Sequence, residues 1–210
     1  MKRFLWKTIS VLLQAVLIVI LPFVLLIRGT VWLYTSYEWP WGLALLLMGA
    51  AVFLVLLVYI AVVRDVLIGP KKMSRRGRRG YAMLALLLVM GYAGFSFFNL
   101  KGRHAKSDAV QEEYNSLHPM LRIAVGTVII LDDGLLVTDL SRAKAEYKEM
   151  GLKTIQHSLH YPQENGWVHA MDIRTIGRSE FRNRLIQGYF WMMGFNTLRH
   201  DGTADHLHIS

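Results

Sequence analysis

Two short stretches of the sequence combine histidine with aspartate, and both of these residue types can bind metal ions. All eight histidines lie after residue 103, and five of them fall in HSLHYPQENGWVHAMD (157–172) and ADHLH (204–208). If the second stretch is a strand, His206 and His208 point to one side and Leu207 to the other. A catalytic zinc ion needs about three imidazole or carboxylate ligands and an open position for water. Two histidines and one aspartate would meet that need.

Strand alternation also limits which residues can share an ion. In VHAMDI (168–173), Asp172 and His169 fall on opposite sides, so we expect them not to bind the same metal. By strict alternation Asp205 falls on the side of Leu207, although a strand end or bulge could turn it inward. The isolated histidines His104, His118 and His200 are expected to be surface residues without a role.

The elements that must position these residues indicate an α+β domain. TVIILDDGLLVTDL (127–140) predicts two strands around an Asp-Asp-Gly turn, and SRAKAEYKEMG (141–151) predicts a helix. VHAMDI is a short strand, RSEFRNRLIQGYFWMMG (178–194) is a helix, and FNTLR and DHLHIS form a terminal hairpin around HDGTA. The expected core stripe of the second helix is Phe181, Leu185, Tyr189, Met192 and Met193.

Taken together, S-L-H, A-M-D and D-H-L-H resemble the motifs of the M15 family. This family comprises zinc D-Ala-D-Ala carboxypeptidases and phage-type peptidoglycan endopeptidases, and it shares a fold with hedgehog signalling domains. Its pattern is S-x-H-x-x-G-x-A-x-D, followed near the end by [DE]-x-x-H. The resemblance covers about Thr127–Ser210, which is roughly 40% of the chain.

The resemblance implies a role for each matching residue. His160, Asp172 and His208 would be the zinc ligands, and Asp205 would be the general base that activates the water. Arg142 would bind the substrate carboxylate or stabilise the oxyanion. Four further residues would line the pocket or support the ligands: Ser158, His206, His169 and His157.

The chain departs from the family pattern between the first two ligands. The family places six residues between its histidine and aspartate, whereas eleven lie between His160 and Asp172. The family's glycine before A-x-D is also missing. A longer loop costs little free energy because loop-closure entropy grows slowly with length. We therefore expect the extra residues to change the shape of the pocket more than the identity of the ligands.

The first half of the chain has a different composition. Three runs without any charged residue, at about 9–27, 41–63 and 81–100, are each long enough to cross a bilayer. Residues 1–106 hold 14 Lys+Arg and 2 acids, whereas residues 107–210 hold 10 Lys+Arg and 13 acids. The basic excess therefore lies in the membrane half, mainly in Arg64–Gly80. This segment is typical of a cytoplasmic loop rather than of a nucleic-acid-binding patch, which was the alternative.

These patterns predict three parts: a membrane domain (1–100), a linker with a short helix (101–120) and an M15-like catalytic domain (121–210). The N-terminus would be cytoplasmic and the catalytic domain would be periplasmic. The chain has no cysteine, so neither disulfides nor thiol catalysis are available.

The predicted function is that of a membrane-anchored zinc metallopeptidase acting on the peptide stem of peptidoglycan. The predicted partners are this substrate and the lipid bilayer, without nucleic acid. Three alternatives stay open. The domain could be a non-catalytic cell-wall-binding, virion or lysis component with a degenerate site; the helices could be the functional part, in transport or lysis; or the topology could be reversed.

Overall fold

The computed structural model describes residues 2–69, 74–98, 100, 102–141, 157–202 and 205–210. The chain divides into two compact units, Met1–Tyr92 and Ala93–Ser210. The helix predicted at 141–151 lies almost entirely outside the described residues, as does Arg142.

The predicted membrane half contains three helices that are long and apolar enough to cross a bilayer, which confirms the three predicted apolar helices. They are α1 (Lys2–Tyr37), α2 (Trp41–Ile68) and α3 (Arg75–Phe98). At 1.5 Å per residue, about 20 residues cover the 30 Å of hydrocarbon, so each helix exceeds the necessary length. Leu26, Val52 and Val89 form a small buried cluster in the first unit.

The second unit begins with the last six residues of α3 and continues through short helical segments. A 3-10 turn at Gly102–His104 is followed by α4 (Asp108–Glu113) and a second 3-10 turn at Tyr114–Ser116. The helix α5 (Pro119–Leu131) comes next, with Pro119 in its first turn and the His118 side chain accepting a hydrogen bond from the Met120 amide. This region was predicted to be a linker and a short helix.

The prediction of a strand at the start of TVIILDDGLLVTDL is wrong, because Thr127–Leu131 forms the end of α5. Every residue from Pro119 to Ile129 is buried, so the helix shows no polar face. An apolar run without periodicity does not distinguish a buried helix from a buried strand. The second predicted strand is present as β1 (Val137–Asp139).

The sheet has four antiparallel strands in the order β1-β2-β4-β3. β2 comprises Met171–Arg174, β3 comprises Thr197–His200 and β4 comprises His206–Ile209. The predicted terminal hairpin is confirmed as β3 and β4, which pair from Thr197↔Ile209 to His200↔His206. In β4, Leu207 and Ile209 are buried while His206 and His208 are half-buried, so the sheet has one apolar face and one histidine-bearing face.

The helix α6 (Glu180–Met193) is also confirmed, with Ser179 as its N-cap and Gly194 in the left-handed conformation at its end. The predicted core stripe is wrong in most positions. The buried residues are Asn183, Ile186, Phe190 and Met193, whereas Phe181 is 72% exposed. Apolar residues occur on two sides of this helix, so its sequence alone does not show which side packs on the sheet.

Candidate metal centre

Antiparallel pairing of β2 and β4 places Asp172 directly opposite His208. Side chains that are directly opposite in such a pair have Cβ atoms only about 5 Å apart. His208 Nδ1 lies 2.9 Å from Asp172 Oδ1. The strand register therefore brings together two of the three ligands implied by the family resemblance.

His160 reaches the same point from a turn that precedes β2. The Ser158 hydroxyl accepts a hydrogen bond from the His160 amide at 3.3 Å, and Leu159 O accepts one from His169 N at 2.9 Å. His160 Nδ1 lies 2.7 Å from Leu140 O. Because a carbonyl oxygen only accepts, Nδ1 carries the proton and the lone pair of the neutral ring is on Nε2.

His160 Nε2, Asp172 Oδ1 and His208 Nδ1 form a triangle. Its edges are 3.3 Å between the two histidine nitrogens, 3.4 Å from His160 to Asp172 and 2.9 Å from His208 to Asp172. Ligand atoms about 2.0–2.2 Å from a tetrahedral zinc ion lie about 3.3–3.6 Å apart. Within the described part of the chain, these three residues form a group that could hold a metal ion.

The charge of these side chains, like their geometry, suits a bound cation. Burial alone would raise the pKa of the Asp172 carboxyl, but the neighbouring side chains of His160 and His208 outweigh it and hold the pKa well below its ordinary value. Asp172 is therefore a carboxylate at neutral pH. A cation between this carboxylate and His160 Nε2 would be stabilised by both groups.

Two further histidines line the more accessible edge of the triangle. His206 Nε2 lies 3.6 Å from Asp172 Oδ2, and its ring stacks on His200 with centroids 4.8 Å apart. The side chains of His206 and His208 are 27% and 23% exposed, whereas those of His160 and Asp172 are nearly buried. A ligand from solvent would therefore approach from the His206 side. His200 is exposed as expected, but its stacking on His206 was not predicted.

Asp205, the predicted general base, is held by other partners. Its Oδ1 accepts hydrogen bonds from Thr175 Oγ1 and Arg199 Nε, both at 2.6 Å, and its Oδ2 accepts one from Arg199 Nη2 at 2.7 Å. These bonds, chiefly those from Arg199, lower the pKa of the Asp205 carboxyl to about 2. Because Arg199 lies opposite Leu207 in β3, these contacts place Asp205 on the Leu207 side, as strict alternation predicts.

The remaining predicted pocket residues are dispersed. His157 is exposed. His169 lies away from the triangle, with Nε2 in hydrogen-bond contact with the Asn165 side-chain amide and its ring 4.6 Å from that of His118. Ser158 supports the backbone of His160 rather than the metal.

The eleven residues between His160 and Asp172 form an ordered excursion. Gln163 N donates to Trp167 O at 2.9 Å, and Gly166 adopts a φ of 78° in the turn between them. Val168 pairs with the segment before α5, because Val168 N donates to Ser116 O and His118 N donates to Val168 O. The two ends of this loop meet where His169 N donates to Leu159 O. The additional loop residues therefore do not separate His160 from Asp172.

Two of the histidines that were expected on the surface are buried instead. His104 is fully buried, with Nδ1 3.0 Å from Leu135 O, and His118 caps α5. Burial, with the neighbouring charges of His169 and Arg122, lowers the pKa of His118 to about 3.

Two groups next to the site were not predicted from the sequence, namely the Arg199 side chain and the Leu140 carbonyl. Arg199 lies opposite Leu207 in β3, a position that a hairpin alignment could have identified.

No protein-family model matches this chain, and no curated protein or solved structure matches it either. The resemblance to the M15 family therefore rests on the motif residues and stays a hypothesis.

Proposed function

We propose that the protein is a membrane-anchored zinc metallopeptidase that hydrolyses peptide bonds in the stem of peptidoglycan. The observation that carries the proposal is the triangle of His160 Nε2, Asp172 Oδ1 and His208 Nδ1, with edges of 2.9–3.4 Å. Two histidines and one carboxylate, with one side open to solvent, make up a donor set suited to catalytic zinc. The peptidoglycan substrate follows from the resemblance to the M15 motifs.

The contacts of each residue in the metal centre suggest its role in binding the cation or the substrate. His160, oriented by Leu140 O, and His208 hold the cation together with Asp172. When bound, zinc supplies a Lewis acid that lowers the pKa of a water molecule and polarises a carbonyl group. His206 lies at the open edge, within reach of an oxygen atom of the substrate. Arg142 is proposed to bind a carboxylate of the substrate.

The location of the domain is part of the proposal. Positively charged loops remain in the cytoplasm, and the Arg64–Gly80 segment between α2 and α3 has seven cations and one acid. We place this segment and the N-terminus in the cytoplasm and the second unit outside. The cell wall lies on that side of the membrane, so the site would meet its substrate there.

Hydrolysis of purified peptidoglycan by the full-length protein in nanodiscs tests the proposal. Release of new amino groups should require zinc, stop with a chelator and resume when zinc is returned. Asp172→Asn should abolish the release, because the buried carboxylate is a ligand. His200→Ala is the matched control: it removes an imidazole next to the site but outside the triangle, and it should retain most of the activity. Full activity of Asp172→Asn would overturn the proposal.

A second candidate function is a metal-binding domain that attaches to the cell wall without catalysis. The ion pair between Asp205 and Arg199 favours it, because a carboxyl group with a pKa of about 2 is a weak base. Asp205→Asn and Arg199→Met separate the two functions. If Asp205 is the general base, only Asp205→Asn loses hydrolysis, by about 10²–10⁴-fold, and zinc stays bound. If the pair only anchors β4, both variants lose zinc affinity to the same degree.

A further inference from the structure

An exposed apolar face extends over the end of α5 and one side of α6. It consists of Ile130 and Leu131 on α5 and of Phe181, Leu185 and Met192 on α6, and we call it the α5–α6 face. Leu131 is 79% exposed and Phe181 is 72% exposed. The three α6 residues are spaced i, i+4 and i+11, which places them on one side of a helix. Leu131 and Leu185 line the same surface groove, so the face is continuous between the two helices.

The borders of this face have the composition of a membrane interface. Trp191, which is 72% exposed, lies at one edge. Arg182 and Arg184 flank the stripe, and their side chains are 51% and 67% exposed. Helices that lie in the plane of a bilayer combine Trp, Phe and Leu on one side with Arg or Lys beside them. Exposed apolar patches of this kind mark interaction sites on folded proteins.

The α5 helix lies directly against the end of the third apolar helix. Residues 93–98 of α3 belong to the second unit, and Gly126 approaches Ser96 so closely that a Cβ there would lie 2.5 Å from Ser96 O. The Arg122 guanidinium lies 3.9 Å from the centre of the Phe97 ring. Leu131 is five residues beyond Gly126, or about 8 Å along the axis of α5.

The residues that α5 packs against are the end of an apolar helix that is long enough to cross a bilayer. We propose that the α5–α6 face lies in the boundary between headgroups and acyl chains of a phospholipid bilayer, about 5–10 Å deep as for other interfacial helices. Arg182 and Arg184, which pair with Asp132 and Glu180, would lie at the level of the lipid headgroups. This docking does not depend on catalysis and concerns the second unit alone.

The orientation has a consequence for the metal centre. The helix α6 lies toward the Leu207 side of the sheet, because Arg199, which is opposite Leu207 in β3, donates from Nη1 to Glu180 Oε2 at 3.2 Å. Leu207 and Ile209 form the apolar face of β4, and Asp172 and His208 occupy the opposite face. A domain that rests on the bilayer through the outer side of α6 therefore directs the metal centre away from the membrane. On the proposed function, this favours mature cell-wall polymer over a lipid-linked precursor as the substrate class.

Single cysteine labels can test the docking, because the chain has no cysteine of its own. Leu185→Cys and Met192→Cys place a fluorescent label on the α5–α6 face, and both side chains are already exposed, so the core is not opened. Leu198→Cys is the matched control: Leu198 is 55% exposed and pairs with His208 on the metal-bearing face. The full chain is reconstituted in vesicles of phosphatidylethanolamine and phosphatidylglycerol, with or without lipids that carry a nitroxide quencher near the headgroup.

The expected result is quenching that is several-fold stronger at positions 185 and 192 than at position 198. Equal quenching at all three positions, or none at 185 and 192, would overturn the proposal. Labels that are shielded from aqueous iodide but not quenched by the nitroxide lipids would indicate a second copy of the chain on this face, which would also overturn it. Hydrolysis is not measured, so failure here is distinct from failure of the proposed peptidase activity.

Discussion

Replacing His208 by alanine removes one corner of the triangle that it forms with His160 and Asp172. Its Nδ1 lies 2.9 Å from Asp172 Oδ1 and 3.3 Å from His160 Nε2, and alanine has no side-chain atom that could replace this nitrogen. Structural zinc sites with four ligands bind with about 10–16 kcal/mol, which corresponds to about 3 kcal/mol for each ligand. Loss of one ligand should therefore weaken zinc binding by about 10²-fold.

Competition with a chromophoric chelator, using the full-length protein, measures this change. His200→Ala is the control, because His200 stacks on His206 with ring centroids 4.8 Å apart and contributes no atom to the triangle. It should leave the zinc affinity close to that of the wild type. Wild-type affinity in His208→Ala would refute the assignment of the ligands, and so would an equal loss in His200→Ala.

Two further predictions concern the elements around the site. Phe190→Ala empties a fully buried position and should lower the free energy of unfolding by about 3–5 kcal/mol. Phe181→Ala, on the exposed side of the same helix, should change it by no more than about 0.5 kcal/mol; similar losses in denaturant titrations would contradict the observed orientation of α6. The low pKa of Asp205 means that its ion pair with Arg199 stabilises the fold fully above the ordinary carboxyl pKa of 3.8 and loses this effect as the pH falls toward 2. The difference in melting temperature between wild type and Asp205→Asn should therefore shrink over that range, and a constant difference would contradict the pairing.

Local sequence patterns were sufficient for the elements that carry the ligands. Alternation in DHLHIS predicts that His206 and His208 share a side, and the pairing of β4 with β2 confirms that they do. The terminal hairpin and the Gly194 end of α6 also follow from short-range signals, because a turn sequence and a left-handed glycine act on neighbouring residues.

The features that the sequence did not reveal depend on packing between distant segments. The end of α5 was expected to be a strand, because its apolar run shows no period when the helix is buried on all sides. The orientation of α6 depends on which of two apolar sides meets the sheet, and this is decided by Phe190 and Ile186 rather than by Phe181 and Leu185.

The contacts of Asp205, the predicted general base, also depend on packing between distant segments. Asp205 lies close to the ligand His208 in sequence, and this proximity suggested a role in catalysis. Its contacts with Thr175 and Arg199 are made across neighbouring strands, and they require the sheet register to be known. Likewise, the carbonyl of Leu140 that orients His160 is separated from it by 20 residues.

Mass spectrometry of peptidoglycan fragments, after digestion by the full-length protein in nanodiscs, tests whether the protein is a zinc peptidase. We expect that a single type of stem-peptide bond is cleaved, that a chelator prevents this cleavage and that added zinc restores it. Fragments that are unchanged by the zinc-loaded protein, or cleavage that persists in the chelator and in the His208→Ala variant, would show that it is not.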